Sequence, residues 1–214
     1  MPEYGNYILR TGGGLEDLED VFGRHLYHSR FAGRGRILDI GPGRCWFTRQ
    51  NPDLIEGLDT EPEIVDHYTE RGMRLTLGTV YDIPFPGATF DAVFCCWLFE
   101  HLERPARGMT EIHRVLQPNG YLCLIVPSPR TLTTTFYDDY THVRPFTATA
   151  LRQLAQDTSF SEVKVSPLFW TKGANRVTHR LGPDVAYRML RALDRYGRAM
   201  RLVNRNNLML EAWR

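Results

Sequence analysis

Short apolar runs separated by stretches of helical spacing set the pattern of this chain. The runs fall near residues 36–40, 54–58, 74–77, 90–96 and 120–126, and apolar residues recur at helical spacing across 61–71 and 105–116. Runs of consecutive apolar residues mark strands buried on both faces, and their alternation with amphipathic helices predicts a parallel sheet covered on each side. Leu15, Leu18, Val21, Phe22, His25 and Leu26 share a helical face with acidic residues in the first turns. This predicts an opening helix over about 14–30 that lids one side of the sheet. A helix over 147–157 precedes the strand SEVKVSPLFW, and a last strand is predicted at Asn207–Trp213. A hairpin would suffice between those two strands, yet a helical insertion over about 172–205 intervenes, with an apolar stripe through Val185, Met189, Leu193, Tyr196, Met200 and Val203. Nothing repeats internally, so one domain over 1–214 is expected.

The segment from Arg36 to Asp59, RILDIGPGRCWFTRQNPDLIEGLD, carries the first candidate chemistry. Ile37, Leu38 and Ile40 supply a buried strand, while Gly41 and Gly43 allow positive φ and close approach of a ligand to the backbone. Asp59 ends the second strand, where a carboxylate can grip two ribose hydroxyls. Asp39 and Asp59 stand 20 residues apart, about what a strand, turn, helix and second strand require in a nucleotide-binding unit. A dinucleotide fingerprint wants a third glycine where this chain has Trp46, and an indole there would hold the following helix away from the sheet. An acidic residue two positions before Gly41 suits a cationic ligand better than a pyrophosphate.

With Asp39, Gly41 and Gly43 in this order, the chain resembles the class I S-adenosylmethionine (SAM) dependent methyltransferases, in the broad small-molecule branch called methyltransferase type 11. Cys45 stands where that family usually has a further glycine. The resemblance continues over about 36–160 through GTVYDIPF at Gly78–Phe85, FDAVF at Phe90–Phe94, Glu100-His101-Leu102, Pro105, Glu111-Ile112, Arg114-Val115-Leu116 and Pro118-Asn119-Gly120. It implies an α/β, doubly wound, seven-stranded and mostly parallel sheet of Rossmann-like type, with an antiparallel last strand. It also implies SAM as cofactor, its demethylated product as leaving molecule, and no metal. Carried onto this sequence, the cofactor-binding residues are Asp39, Gly41, Gly43, Asp59, Thr60, Thr79, Val80, Tyr81 and Cys96. Thr79 replaces the acidic residue that often meets the adenine amino group, so adenine recognition is expected from backbone near Val80 and from Tyr81 or Asp82.

Composition adds few constraints. The 214 residues are 43% hydrophobic and 24% charged, ordinary values for one soluble enzyme domain. The longest apolar run, Ala92–Phe99, falls short of the roughly 18 residues that span a bilayer, and no secretory leader is visible at the start, so a cytoplasmic protein is expected. Cys45, Cys95, Cys96 and Cys123 have neither zinc spacing nor the density of a disulfide scaffold, and read as buried thiols. Cys96 as a covalent nucleophile would be expected to follow a proline, and it follows Cys95. Charge is less even: residues 176–205 hold eight arginines and two aspartates, a net of +6, against +1 for the whole chain. A solvated face on a helix that caps the substrate pocket or makes a homodimer contact explains this. An anionic substrate, a membrane surface or RNA are the other readings. The fourth strand ends in Cys95-Cys96-Trp97-Leu98 and lacks the Asn/Asp-Pro-Pro-aromatic motif that orients a flipped base, which argues against nucleic acid.

The implied reaction is transfer of a methyl group from a sulfonium to an oxygen or nitrogen of a small organic acceptor. A base is needed only where the acceptor must lose a proton. Ligands bind outside the carboxyl ends of strands in doubly wound sheets, so the segment after the fifth strand, TTTFYDDYTHVRPF, supplies the candidates. His142 is the first choice, with Asp139 and Tyr140 next. His142 and Asp139 can equally be residues that hydrogen-bond this loop. Aromatic residues at Phe136, Tyr137, Tyr140, Phe146, Phe169 and Trp170 point to a flat or apolar acceptor, with the arginine helix meeting any anionic group on it. A protein that binds SAM or its product without catalysis is the alternative of another class, as is a methyltransferase acting on lipid or RNA through the arginine helix.

Overall fold

The computed structural model describes residues 16–129, 136–168, 182–196 and 207–214. Seven strands form one sheet: β1 (Ile37–Ile40), β2 (Ile55–Asp59), β3 (Arg74–Leu77), β4 (Phe90–Cys96), β5 (Leu116–Pro127), β6 (Ser161–Leu168) and β7 (Asn207–Trp213). Their order across the sheet is β3-β2-β1-β4-β5-β7-β6. The pairs among β1 to β5 are parallel, and β7 runs antiparallel to both β5 and β6. The doubly wound sheet with an antiparallel last strand is therefore the one predicted. Strand alternation divides the core between two faces. Leu38, Ile40, Val93, Cys95, Leu122 and Leu124 face one layer, with Met109, Ile112 and Leu151 from helices α3 (Pro105–Val115) and α4 (Ala148–Asp157). Ile37, Phe94, Tyr121 and Ile125 face the other, with Phe22 and Leu26 from helix α1 (Glu16–Leu26).

Local chemistry explains where the helices start. Helix α2 (Pro62–Thr69) and α3 both begin on proline, whose missing N–H is free of cost in a first turn. Thr147 caps α4, its hydroxyl accepting from the Ala150 N–H at 3.1 Å.

Between β1 and β2 the chain departs from expectation. No α-helix forms there; tight turns lead to a single 3-10 turn at Thr48–Gln50. Cys45, Trp46, Phe47 and Thr48 are buried at four consecutive positions, which no one face of an α-helix can achieve, and Cys45 sits at φ +53°. Trp46 fills the space instead, with its ring 5.5 Å from Phe22 and 5.6 Å from Phe94. Helix α1 closes over it, and Gly23 permits the approach, since a Cβ there would lie 2.4 Å from the Trp46 carbonyl oxygen.

The described part of the helical insertion, α5 (Pro183–Tyr196), packs on α1 of the same chain. Ala186 is buried against Val21, Arg24 pairs with Asp184 at 3.0 Å, and the Arg24 guanidinium stacks over Tyr187 at 4.4 Å. The predicted stripe is corrected here, because Val185 and Met189 are exposed while small Ala186, about 100° further round the helix, makes the close contact. Met200, Val203, Arg198, Arg205, Phe169 and Trp170 lie outside the described residues. Among the described residues, no helix is long and apolar enough to cross a membrane.

Candidate active site

Asp59 reaches the surface of the sheet at the carboxyl end of β2, beside the turn that leaves β1. It is 7% exposed and accepts from the Glu61 N–H at 3.0 Å, while burial pushes its carboxyl up to about 6 against the pull of backbone donors at Glu61, Gly43 and Thr60. Gly41 and Gly43 both take positive φ, +69° and +51°, so the turn bends out of β1 without a side chain over the crevice. These residues line a cavity of about 660 Å³ that also takes in Thr60, Thr79, Val80, Tyr81, Cys96, Asp139 and His142. All but two of the predicted site residues thus share one space.

The two exceptions are Asp39 and Tyr140, which do not line it. Tyr140 is 81% exposed. Asp39 lies under the glycine turn, 2% exposed, and accepts from the Thr48 hydroxyl at 2.7 Å. It braces the turn from below. Burial pushes its carboxyl up to about 7. The folded state therefore holds that proton more tightly than the unfolded chain. The stabilising contribution is complete below about pH 4 and lost as pH rises through about 7, on the order of 4 kcal/mol by linkage. Asp39→Asn is expected to flatten the fall in cofactor-free melting temperature between pH 5 and pH 8; parallel curves for variant and parent would refute this assignment.

The loop after β3 forms the wall next to Asp59. Thr79 closes it on itself, accepting from the Tyr81 N–H at 3.3 Å, while Val80 is buried. Two residues of α3, noted in the sequence only as part of a resemblance, hold this wall. Glu111 accepts from the Ile83 N–H at 2.9 Å, and Arg114 donates to the carbonyls of Ile83 and Phe85 at 2.8 Å each. At the glycine turn, Arg44 forms a largely buried ion pair with Glu19 of α1, the Nε–Oε2 distance being 3.0 Å. Both line the cavity, so the opening helix contributes to the site itself. Cys96 is buried and its thiol is raised far above the ordinary range by burial, which keeps it protonated and unsuited to nucleophilic attack.

The opposite end of the cavity is polar. His142 places its Nδ1 2.5 Å from the Phe136 carbonyl, which can only accept; Nδ1 therefore carries the proton and Nε2 the lone pair of the neutral ring. Its ring lies 4.4 Å from Phe136 and 4.6 Å from His101. Asp139 does not orient it, since Oδ2 is 4.0 Å from Nε2. Asp139 instead accepts from the Thr141 N–H at 2.9 Å and hydroxyl at 2.6 Å. Burial opposes these bonds and the nearby His142, yet together they hold the carboxyl below its ordinary value. His101 meets the Thr141 hydroxyl at 2.8 Å, and burial followed by His142 lowers its basicity. Glu100 is 1% exposed and burial pushes it up to about 8. Sequence reasoning left His101 without a role and passed over Glu100, whose partners lie some 40 residues further on.

A seven-stranded sheet of this order, a glycine turn after β1 and a carboxylate ending β2 define the class I methyltransferase fold. Residues 38–124 match a family described as "Methyltransferase domain". Over its full length the chain is similar to a SAM-dependent methyltransferase from Thermotoga maritima, with a TM-score of 0.69, 17% identity, and coverage of 99% of this chain and 97% of that one. Two Oryza sativa proteins named 2-methyl-6-phytyl-1,4-hydroquinone methyltransferase are 29% and 25% identical over 57% and 80% of this chain. The chain spans only 37% and 54% of their lengths. The fold is thus shared with solved methyltransferase structures, and the segment 38–124, which carries the glycine turn and Asp59, is similar to the methyltransferase domain family.

Proposed function

We propose that this protein transfers the methyl group of SAM to an oxygen or nitrogen of a small, hydroxylated or amino-bearing acceptor. One observation carries the reading: the glycine turn and Asp59 line the same cavity as His101, Asp139 and His142. An acceptor lone pair forms the new bond to the methyl carbon while the carbon–sulfur bond breaks and its electron pair stays on sulfur. The acceptor's proton passes to His142 Nε2. Alignment of acceptor, methyl and sulfur supplies much of the rate, about 7–11 kcal/mol in well-oriented systems. Asp59 takes the ribose hydroxyls, and the Thr79–Tyr81 wall takes the adenine. Trp97 and Leu98 are also among the residues that line the cavity and favour a flat acceptor, in keeping with the hydroquinone named for the rice relatives.

Calorimetry with SAM and with its demethylated product tests the cofactor half. Loss of two hydrogen bonds to a charged group costs about 3 kcal/mol or more, so Asp59→Ala is expected to weaken SAM binding about 100-fold. Because the Asp59 carboxyl titrates at about 6, wild-type affinity is expected to fall as pH drops below that value, and Asp59→Asn to lose this dependence. Equal affinity for variant and parent would remove Asp59 from the site. A metabolite mixture incubated with SAM and the protein should yield a product heavier by one methyl group. Tight SAM binding without any such product would instead indicate a regulatory SAM-binding protein.

A further inference from the structure

The reaction as drawn leaves Glu100 unused, although its carboxyl is 1% exposed and Oε2 has no hydrogen-bond partner among the described residues. A carboxyl oxygen left without a partner in the interior is costly. Its neighbours are two imidazoles: one ligand-capable atom from each of Glu100, His101 and His142 lies within 4.8 Å of those from the other two. Both rings have their other nitrogen tied down. His142 Nδ1 donates to the Phe136 carbonyl. His101 Nδ1 faces Thr141 Oγ1, whose single proton is taken by Asp139 at 2.6 Å, so His101 must be the donor there. Each ring therefore offers Nε2 as a lone pair in a fixed orientation, the arrangement in which histidines ligate metals. The two chain segments are also stitched together, since the Glu100 carbonyl accepts from the N–H groups of Val143 and Arg144 at 2.8 and 3.2 Å.

We propose that Glu100, His101 and His142 form a binding site for one divalent transition-metal cation. Two imidazoles and one carboxylate suit Zn²⁺, Mn²⁺ or Fe²⁺, and three protein ligands leave positions open for water or an acceptor oxygen. Bonds of about 2.0–2.2 Å put ligand atoms roughly 3–4 Å apart, so the three groups close inward by about 1 Å at most. The open positions face the cavity that Gly41 and Asp59 also line. Cation binding is defined without reference to methyl transfer. If the proposed reaction is correct, the ion holds the acceptor oxygen and takes over from the free Nε2 lone pair.

Cobalt(II) provides the probe. Protein freed of metal with a chelator is expected to take up one Co²⁺ per chain, giving visible d–d absorption that Zn²⁺ abolishes by competition. Glu100→Gln and His101→Ala should each weaken Co²⁺ binding at least 10-fold, while far-UV circular dichroism and cooperative thermal melts verify that both variants are folded. No visible band at millimolar Co²⁺, or equal Co²⁺ affinity in variants and parent, overturns the site. Failure of the methyltransferase reading would instead appear as absence of SAM binding, with or without the ion.

Discussion

His142→Ala is expected to lower turnover of the true acceptor by about 10²–10⁴-fold, the range that a positioned proton acceptor contributes. The ring is held by its own hydrogen bond to Phe136 and lies between that residue's ring and His101, so few orientations compete with the one that presents Nε2 to the cavity. Alanine removes this lone pair and leaves the glycine turn and Asp59 untouched. SAM affinity should therefore stay within about threefold while kcat falls, because a group acting on the proton in flight contributes to the transition state and not to the bound cofactor. Residual catalysis from alignment alone persists above the uncatalysed rate. The measurement is formation of demethylated cofactor with the acceptor identified by its added methyl mass. Two additions then separate the roles open to His142. Free imidazole should restore part of the lost rate if Nε2 takes the proton, whereas a chelator should depress the wild-type rate if Nε2 holds a cation. Unchanged kcat would remove His142 from the chemistry.

What was legible in the sequence follows from which forces act locally. Strand positions were readable because the largely apolar runs Ile37–Ile40 and Phe90–Cys96, each broken by one aspartate, are buried on both faces, and the antiparallel β7 was readable from its place after the insertion. Gly41, Gly43 and Asp59 were readable because a turn with positive φ and a carboxylate at a strand end are properties of single positions. The position of Asp39 beneath the turn was not readable, because it depends on the Thr48 hydroxyl that reaches it after an irregular turn. The expected helix failed for a related reason: four consecutive buried residues outweigh the spacing of a βαβ unit. Glu100, His101 and His142 could not be grouped at all. His101 and His142 are 41 positions apart, and they meet through the Thr141–His101 hydrogen bond and the backbone bonds from Val143 and Arg144 to Glu100.

The same irregular turn gives the second large effect, on stability. Phe47→Ala is expected to cost about 3–5 kcal/mol, the usual loss for an aromatic removed from a close-packed interior. Phe47 is 1% exposed, with its ring 4.2 Å from Phe94 and 4.8 Å from Phe31, and it anchors a turn that lacks the hydrogen-bond ladder of a helix. For a domain of this size the melting temperature should drop by about 6–20 °C. Phe47→Leu keeps most of the volume and should lose less than half as much. Trp46 is a useful contrast: 8% of it is exposed and it borders the cavity, so its loss should show in SAM affinity as well as in stability. Thermal melts of the three variants with and without the demethylated product resolve the two contributions, since ligand binding adds stability only to chains whose glycine turn is intact. A Phe47→Ala melting temperature within 2 °C of the parent would mean that the aromatic cluster does not hold the turn, and that Asp39 and Thr48 carry it alone.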